Sequence, residues 1–277
     1  MSHSFIQQDD VQKLLREGAG LNGPEGNERF KSIIHRLLGD ICTLIDDYNV
    51  TQEEFWHAVN YLHELGGRQE AALLAAGLGL EHFLDLRQEA IESRQSSETG
   101  TPRTIEGPLY VANAPLADGY ARMDDGKDAG EVMWLHGQVK DVHGQPVAGA
   151  IVDIWHANTL GNYSFFDQSQ SDYNLRRRIR TDAEGRYSVR SILPSGYGCP
   201  PDGPTQKLLN QLGRHGNRPA HIHFFVSAPG FKHLTSQINL NGDQYLWDDF
   251  AFATRDGLIA DPVKISDPAL IQQRDLA

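Results

Sequence analysis

Cysteine is scarce in this chain: Cys42 and Cys199 are the only two among 277 residues. With so few, and with no apolar leader in the polar stretch from Met1 to Asp10, a disulfide framework is excluded and a reducing, cytoplasmic setting is expected. Long hydrophobic runs are missing too. The longest, Ala71 to Leu80, is interrupted by Gly77 and Gly79 and is far too short to cross a bilayer, so no membrane insertion is expected. Positive charge is in deficit, with 25 Lys plus Arg against 37 Asp plus Glu and a formal net charge of −12. Such a surface repels nucleic acid and anionic lipid, which removes both from the expected partners. It does not exclude a small aromatic molecule. No internal repeat or low-complexity tract is apparent.

What is present falls into two textures. Residues up to about 92 read as helix. Phe30, Ile33, Ile34, Leu37, Leu38, Ile41, Leu44 and Ile45 recur at helical spacing and share one face. Thr51 with Glu54 forms a capping box that opens a helix through Phe55, Trp56, Val59 and Leu62, and Gly66-Gly67 stops it. A third apolar segment runs from Glu70 to Glu92, and the polar stretch Ser93 to Pro102 reads as a hinge. Beyond it, short alternating segments take over. Glu131 to Ile154 reads as strand, turn at His143-Gly144-Gln145-Pro146, and return strand over Val147 to Ile154. Arg180 to Tyr187 reads as a second strand-turn-strand, and His221 to Ala228 and Thr235 to Asn241 as further strands. The expected fold is α+β, with a helical domain over 1–102 and an antiparallel β-sandwich over 103–277. The phrase GQVKDVHGQPVAGAIVD, from Gly137 to Asp153, suits many non-catalytic β-sandwich modules and reads as scaffold.

His221-Ile222-His223 lies in an apolar strand. Alternation puts both imidazoles on one face and Ile222 on the other, which makes half of a metal site. The ordinary alternative is one packed and one exposed histidine. Ferrous oxygenases usually complete such a pair with a carboxylate, but no nearby segment nominates one. Two tyrosines sit instead in unusual loops. Tyr163 follows Gly161-Asn162, and Tyr197 stands between glycines in PSGYGCPP, Pro194 to Pro201. Each taken alone is equally compatible with a loop tyrosine that hydrogen-bonds locally.

Four runs decide between these readings: TPRTIEGPLY (101–110), DIWHAN (153–158), PSGYGC (194–199) and GRHGNRPAHIH (213–223). They closely resemble the intradiol ring-cleavage dioxygenases, and the resemblance covers nearly the whole chain. It implies one ferric iron per subunit, held by Tyr163, Tyr197, His221 and His223, and cleavage of catechol by O2 between its two hydroxylated carbons. The ligand types suit a hard trivalent ion. A phenol with a pKa of about 10 needs ~4 kcal/mol of help to ionise at pH 7, and a metal cation supplies it. The family mechanism implies that Tyr197 dissociates and accepts a substrate proton while Tyr163 and the histidines stay. By the same matching, Arg218 holds positive charge over the ring and Gln237 stands near the bound substrate. Matched pocket walls are Leu73, Ile105, Pro108, Leu109, Phe250 and Ala251, with Ala76 at the mouth. Ordinary core packing is the alternative for these. Leu73 and Ala251 favour unsubstituted catechol over chlorocatechol.

Cys199 reads as a small wall residue and not as a ligand, since thiolate is soft and ferric iron hard. His156 and Arg176-Arg177-Arg178 read as loop-stabilising, the arginine run as a solvated face. The resemblance also implies a homodimer through the N-terminal helices and a phospholipid in an apolar tunnel there. Relatives of this kind continue past the position of Ala277 with a further strand, so an unpaired sheet edge is expected. Three rival readings stand beside catechol cleavage. They are the same chemistry on hydroxyquinol or a substituted catechol, ferrous extradiol cleavage, and a non-catalytic β-sandwich module.

Overall fold

The computed structural model describes residues 5–95 and 100–276. Within the segment read as a hinge, residues 96–99 lie outside the described residues. The chain forms two compact units, Met1–Glu64 and Leu65–Ala277. The first contains α1 (Asp9–Gly18), α2 (Glu28–Asp47) and most of α3 (Gln52–Gly67). Asn27 caps α2 by accepting a hydrogen bond from the Phe30 amide at 3.0 Å. Thr51 and Glu54 form the capping box read from the sequence. The Thr51 amide donates to Glu54 Oε2 at 2.8 Å, and the Glu54 amide donates to Thr51 Oγ1 at 3.2 Å.

The second unit adds α4 (Ala71–Gly77) and α5 (Leu80–Gln95). The chain breaks between them at Gly79, whose φ of +74° suits glycine. Among the described residues eleven short strands follow. The larger sheet has the order β1 (Leu116–Asp118), β5 (Arg176–Arg180), β4 (Ile151–His156), β9 (His221–Ser227), β10 (Leu234–Leu240) and β11 (Ile259–Ala260). The smaller sheet is β2 (Tyr120–Arg122), β6 (Arg186–Ile192) and β3 (Val132–Gln138). A two-residue ladder joins β7 (Tyr197–Gly198) to β8 (Asn217–Arg218). Two further helices are α6 (Pro204–Gln211) and α7 (Pro268–Gln273). Among the described residues no helix is long and apolar enough to cross a membrane.

The sheets are mixed and not purely antiparallel: β1 pairs β5, β2 pairs β6 and β10 pairs β11 in parallel. The first two pairings have one cause. The segment β1–Gly119–β2 steps from the larger sheet to the smaller, and β5–β6 makes the same step in the same direction. Gly119 binds both sides of that corner: its amide donates to Arg180 O and its carbonyl accepts from the Ser188 amide, each at 2.9 Å. Both expected hairpins also change character for this reason. β3 pairs with β6, not β4, and β5 and β6 lie in different sheets. β4 is buried at nearly every position, so it requires a neighbour on each edge; β5 and β9 supply them.

The core lies between the two sheets. Val152, Ile154, Ile179, Val189, Ile222 and Phe224 meet there with Met123. Alternation then sends Asp153 and Trp155 of β4, and His221, His223 and Phe225 of β9, to the opposite face of the larger sheet. His156, on the core side, spans the sheets. Its Nε2 is 2.7 Å from Ser191 Oγ and its Nδ1 2.7 Å from Ala157 O, which bears out a stabilising role. The arginine run stabilises loops as read, through Arg177 to Tyr173 O and Arg178 to Ala114 O. It is not a solvated face, because Arg176 is fully buried.

Asp153 accepts a hydrogen bond from Tyr110 Oη at 2.9 Å, and burial pushes its carboxyl up to about 6. The folded state therefore holds this proton more tightly than the unfolded chain does. Its contribution to stability is complete below an unfolded value of about 4 and is lost as pH rises through about 6. Asp153→Asn keeps an acceptor for Tyr110 without titrating. Its melting temperature should rise relative to the parent's as pH increases across that window, and a difference that stays constant with pH would refute the assignment.

Candidate metal centre and cavity

The outer face of the larger sheet carries a row of side chains. Register sets Trp155 of β4 opposite His223 of β9, and His223 opposite Gln237 of β10, with Asn239 opposite His221. The Trp155 and His223 rings stack with centroids 4.8 Å apart and an interplanar angle of 5°. His221 and His223 thus share a face, as alternation requires, and their Nε2 atoms are 3.1 Å apart. Pro219 O accepts from His221 Nδ1 at 2.6 Å when that nitrogen carries the proton, which leaves the His221 Nε2 lone pair turned toward His223.

Two loops bring in the tyrosines. Tyr163 and Tyr197 meet edge to face with centroids 5.5 Å apart, and Tyr197 lies 5.5 Å from the His221 ring. Two glycines make this approach feasible. At Gly161, with φ +79°, a Cβ would stand 2.6 Å from Tyr197 Cβ; at Gly196 it would stand 2.5 Å from Arg218 O. Tyr197 therefore sits on a ladder pressed against Arg218, its partner across β7–β8.

Arg218 is buried and fixed on several sides. Its Nη2 donates to Gln237 Oε1 at 2.9 Å and lies 3.1 Å from Asp249 Oδ2; its Nη1 is 3.4 Å from Tyr197 Oη. Gln237 Nε2 in turn donates to Asn239 Oδ1 at 2.6 Å, which settles the amide's orientation. Burial pulls the Arg218 guanidinium down, but Asp249 and the tyrosines outweigh it and leave it raised.

A cavity of about 340 Å³ opens onto these groups. Leu73, Ala76, Ile105, Pro108, Leu109, Tyr163, Tyr197, Arg218, Phe250 and Ala251 all line it, so the structure brings these sequence-nominated residues together. Ala76 is buried with Ile105, Cys199, Leu209 and Phe250. Gln237, His221 and His223 are not in its wall; Gln237 is joined to it through Arg218. Cys199 lines the wall, and burial, then the charge of Glu70, pushes its thiol up to about 12, which disfavours the thiolate. The wall loop at 106–107 hangs from α5, where Glu81 Oε1 accepts both amides.

Sequence reading did not single out Asp249, Trp155 or Phe166. Asp249 adjoins the nominated Phe250, and that adjacency was the available signal. Trp155 lies within a quoted motif, but its stacking on His223 depends on strand register. Phe166 lines the cavity three residues beyond Tyr163.

The donor set fits a hard cation. Among the described residues no cluster of three or more His, Cys, Asp or Glu could hold a metal, so two histidines here would need the two tyrosines to complete a site. Tyr163 Oη and His223 Nδ1 are buried with no hydrogen-bond partner. Burial, then Arg218, pushes His221 down to about 3, and burial with His221 holds His223 well below its ordinary range. Both imidazoles are therefore neutral at pH 7, with lone pairs to give. Burial, then Tyr197, holds the Tyr163 phenol well above its ordinary range, so a cation is needed to ionise it.

Comparison with known proteins agrees with this chemistry. Residues 27–96 match the family described as catechol dioxygenase N terminus, and residues 105–274 match the dioxygenase family. Catechol 1,2-dioxygenase of Acinetobacter baylyi is 55% identical over 279 residues, covering 100% of this chain and 90% of that protein. Catechol 1,2-dioxygenase 2 of Acinetobacter lwoffii is 62% identical over 235 residues, covering 85% of this chain and 86% of that one. The solved structure of catechol 1,2-dioxygenase from Acinetobacter sp. ADP1 superposes with a TM-score of 0.95 at 56% identity, covering 98% of this chain and 89% of that chain. The chain belongs to the catechol dioxygenase family of intradiol ring-cleaving enzymes.

Proposed function

We propose that this protein cleaves catechol with O2 between its two hydroxylated carbons to give cis,cis-muconate, both oxygen atoms entering the product. The observation that carries this reading is the convergence of two neutral imidazoles and two phenols beside one small cavity with a largely apolar wall. Tyr163, Tyr197, His221 and His223 would hold ferric iron. Bound there, iron would act as a Lewis acid that draws electron density from the substrate so that a ring carbon meets O2.

The chain's own residues do the rest. Leu73, Ile105, Pro108, Leu109 and Ala251 orient the ring and exclude water. Tyr197 is the half-buried tyrosine, on a ladder of two residues, and its phenolate oxygen accepts a hydroxyl proton from the entering catechol. Arg218 stabilises the negative charge that then develops on the ring, and Gln237 and Asp249 hold the guanidinium in place. Charge balance would favour this proton transfer: with Tyr197 protonated, the Tyr163 phenolate and a doubly deprotonated catechol together would offset the three positive charges of ferric iron.

The first unit supports a homodimer. Phe30, Ile33, Leu37, Ile41 and Leu44 line one exposed face of α2, a larger apolar stripe than an isolated helix face would leave in water. An apolar seam of this kind also suits a lipid acyl chain, which extraction and mass spectrometry would reveal as a bound phospholipid. The cytoplasm is the proposed location.

The purified protein should be red-brown from tyrosinate-to-iron charge transfer, and anaerobic catechol should shift the band. Tyr163→Phe and Tyr197→Phe should each weaken it; a colourless iron-loaded protein, or a band that survives both changes intact, rules the site out. Turnover should be faster on catechol than on hydroxyquinol, with a ring-opened diacid as product. A semialdehyde product would point to extradiol cleavage, and absence of iron and of oxygen uptake to a binding module. Asp249→Asn leaves Arg218 without its counter-charge and should lower kcat/KM roughly 10–100-fold; parental kinetics would remove Asp249 from the machinery. Light scattering should report a dimer, and Leu37→Glu with Ile41→Glu should yield monomers. A monomeric parent would refute the α2 interface.

A further inference from the structure

The two tyrosines are held in opposite ways. Tyr197 is half-buried between two glycines, and the cation beside it has a partner of its own: Arg218 and Asp249 form an ion pair whose side chains are 3% and 1% exposed. Tyr163 is 3% exposed, and the residue after it is clamped. Ser164 Oγ donates to Asn174 O at 2.8 Å and accepts from Arg176 Nε at 2.9 Å, while Arg176 Nη2 donates to the Ser164 carbonyl at 3.2 Å. The guanidinium carbon of Arg176 lies 5.6 Å from the Tyr163 ring centroid.

Arg176 itself is 1% exposed. Among the described residues no carboxylate lies in salt-bridge contact with it, the Asp153 carboxylate acts on it only from a greater distance, and its Nη1 is buried without a hydrogen-bond partner. A buried cation in this condition is unfavourable unless a negative charge lies close by. The ring beneath it belongs to Tyr163, which carries such a charge when it ligates a metal. The backbone points the same way. Phe165, Tyr173 and Leu175 adopt φ of +73°, +56° and +59°, a region unfavourable for such side chains, and the clamp joins the two ends of this strained loop.

We propose that Arg176 is the positioning residue that makes Tyr163 the permanent ligand: it clamps Ser164, the residue after Tyr163, and sets a positive charge with no carboxylate in salt-bridge contact over the Tyr163 ring. The clamp and the charge on this side alone decide which tyrosine stays and which leaves. This rests on the iron reading above, and the test separates the two.

Iron-loaded Arg176→Met, Arg176→Lys and Ser164→Ala are compared with the parent under anaerobic catechol, where Tyr163 is the remaining tyrosinate. A nearby cation lowers the energy of the phenolate electrons, so its removal should move the charge-transfer band to longer wavelength. Arg176→Met should show that shift and lose iron to a chelator roughly tenfold faster. Arg176→Lys and Ser164→Ala, which keep a cation, should hold the parental wavelength. A parental band in Arg176→Met, or an equal shift in all three variants, overturns the proposal. Should Arg176→Met fail to fold, the Tyr163→Phe background decides. There the charge that Arg176 faces is gone and only the Ser164 hydrogen bonds are left to lose, so Tyr163→Phe with Arg176→Met should fold, and a double variant that likewise fails to fold overturns the proposal. A parent with no charge-transfer band overturns the iron reading and this inference together; an unchanged band in Arg176→Met overturns this inference alone.

Discussion

Three neighbouring strands hold Trp155, His223 and Gln237 side by side on the outer face of the larger sheet, and the site depends on that register. A slip of one residue in β9 would turn both histidines into the core and Ile222 and Phe224 out of it. The sandwich core is therefore what keeps the imidazoles aligned: Val152, Ile154, Ile222 and Phe224 bind the sheets together on one side, and the functional row is the same alternation seen from the other. Stability and chemistry share one backbone pattern here, read on opposite faces.

The loops that complete the site hang from this rigid floor. Close approach of the two tyrosine loops is possible because Gly161 and Gly196 have no Cβ where backbone or side chain must pass. The polar groups beneath them are paired in a chain, Asp249 to Arg218 to Gln237 to Asn239, so each orientation is determined by the next. Against that background the unpartnered atoms stand out. Among the described residues, Tyr163 Oη, His223 Nδ1, Trp155 Nε1 and Arg176 Nη1 are buried without hydrogen-bond partners in this neighbourhood.

Sheet topology illustrates what local pattern omits. Alternation and turn residues mark strands that overlap 132–138, 151–156, 221–227 and 234–240, but the strand-turn-strand read over Arg180 to Tyr187 falls mostly on the connection between β5 and β6. The pairing does not follow from them. Each expected hairpin instead carries the chain from one sheet to the other, because the connections after β3 and after β5 pass between the layers. The helical capping box at Thr51 was fully legible, since its partners are three residues apart.

By itself the sequence determined the elements whose causes are local: helical spacing, capping, the alternation that puts His221 and His223 on one face, and the motifs that carry the family resemblance. By motif matching it also nominated Leu73, Ala76, Ile105, Pro108, Leu109, Phe250 and Ala251, all of which line the cavity, but not Phe166. Only the tertiary structure decided that Arg176 is buried and not part of a solvated charge run, that Trp155 stacks on His223, and that Asp249 pairs with Arg218. The physical reason is common to all three. Burial and ion pairing depend on what the rest of the chain brings to a residue, and partners tens of residues away leave no trace in local spacing.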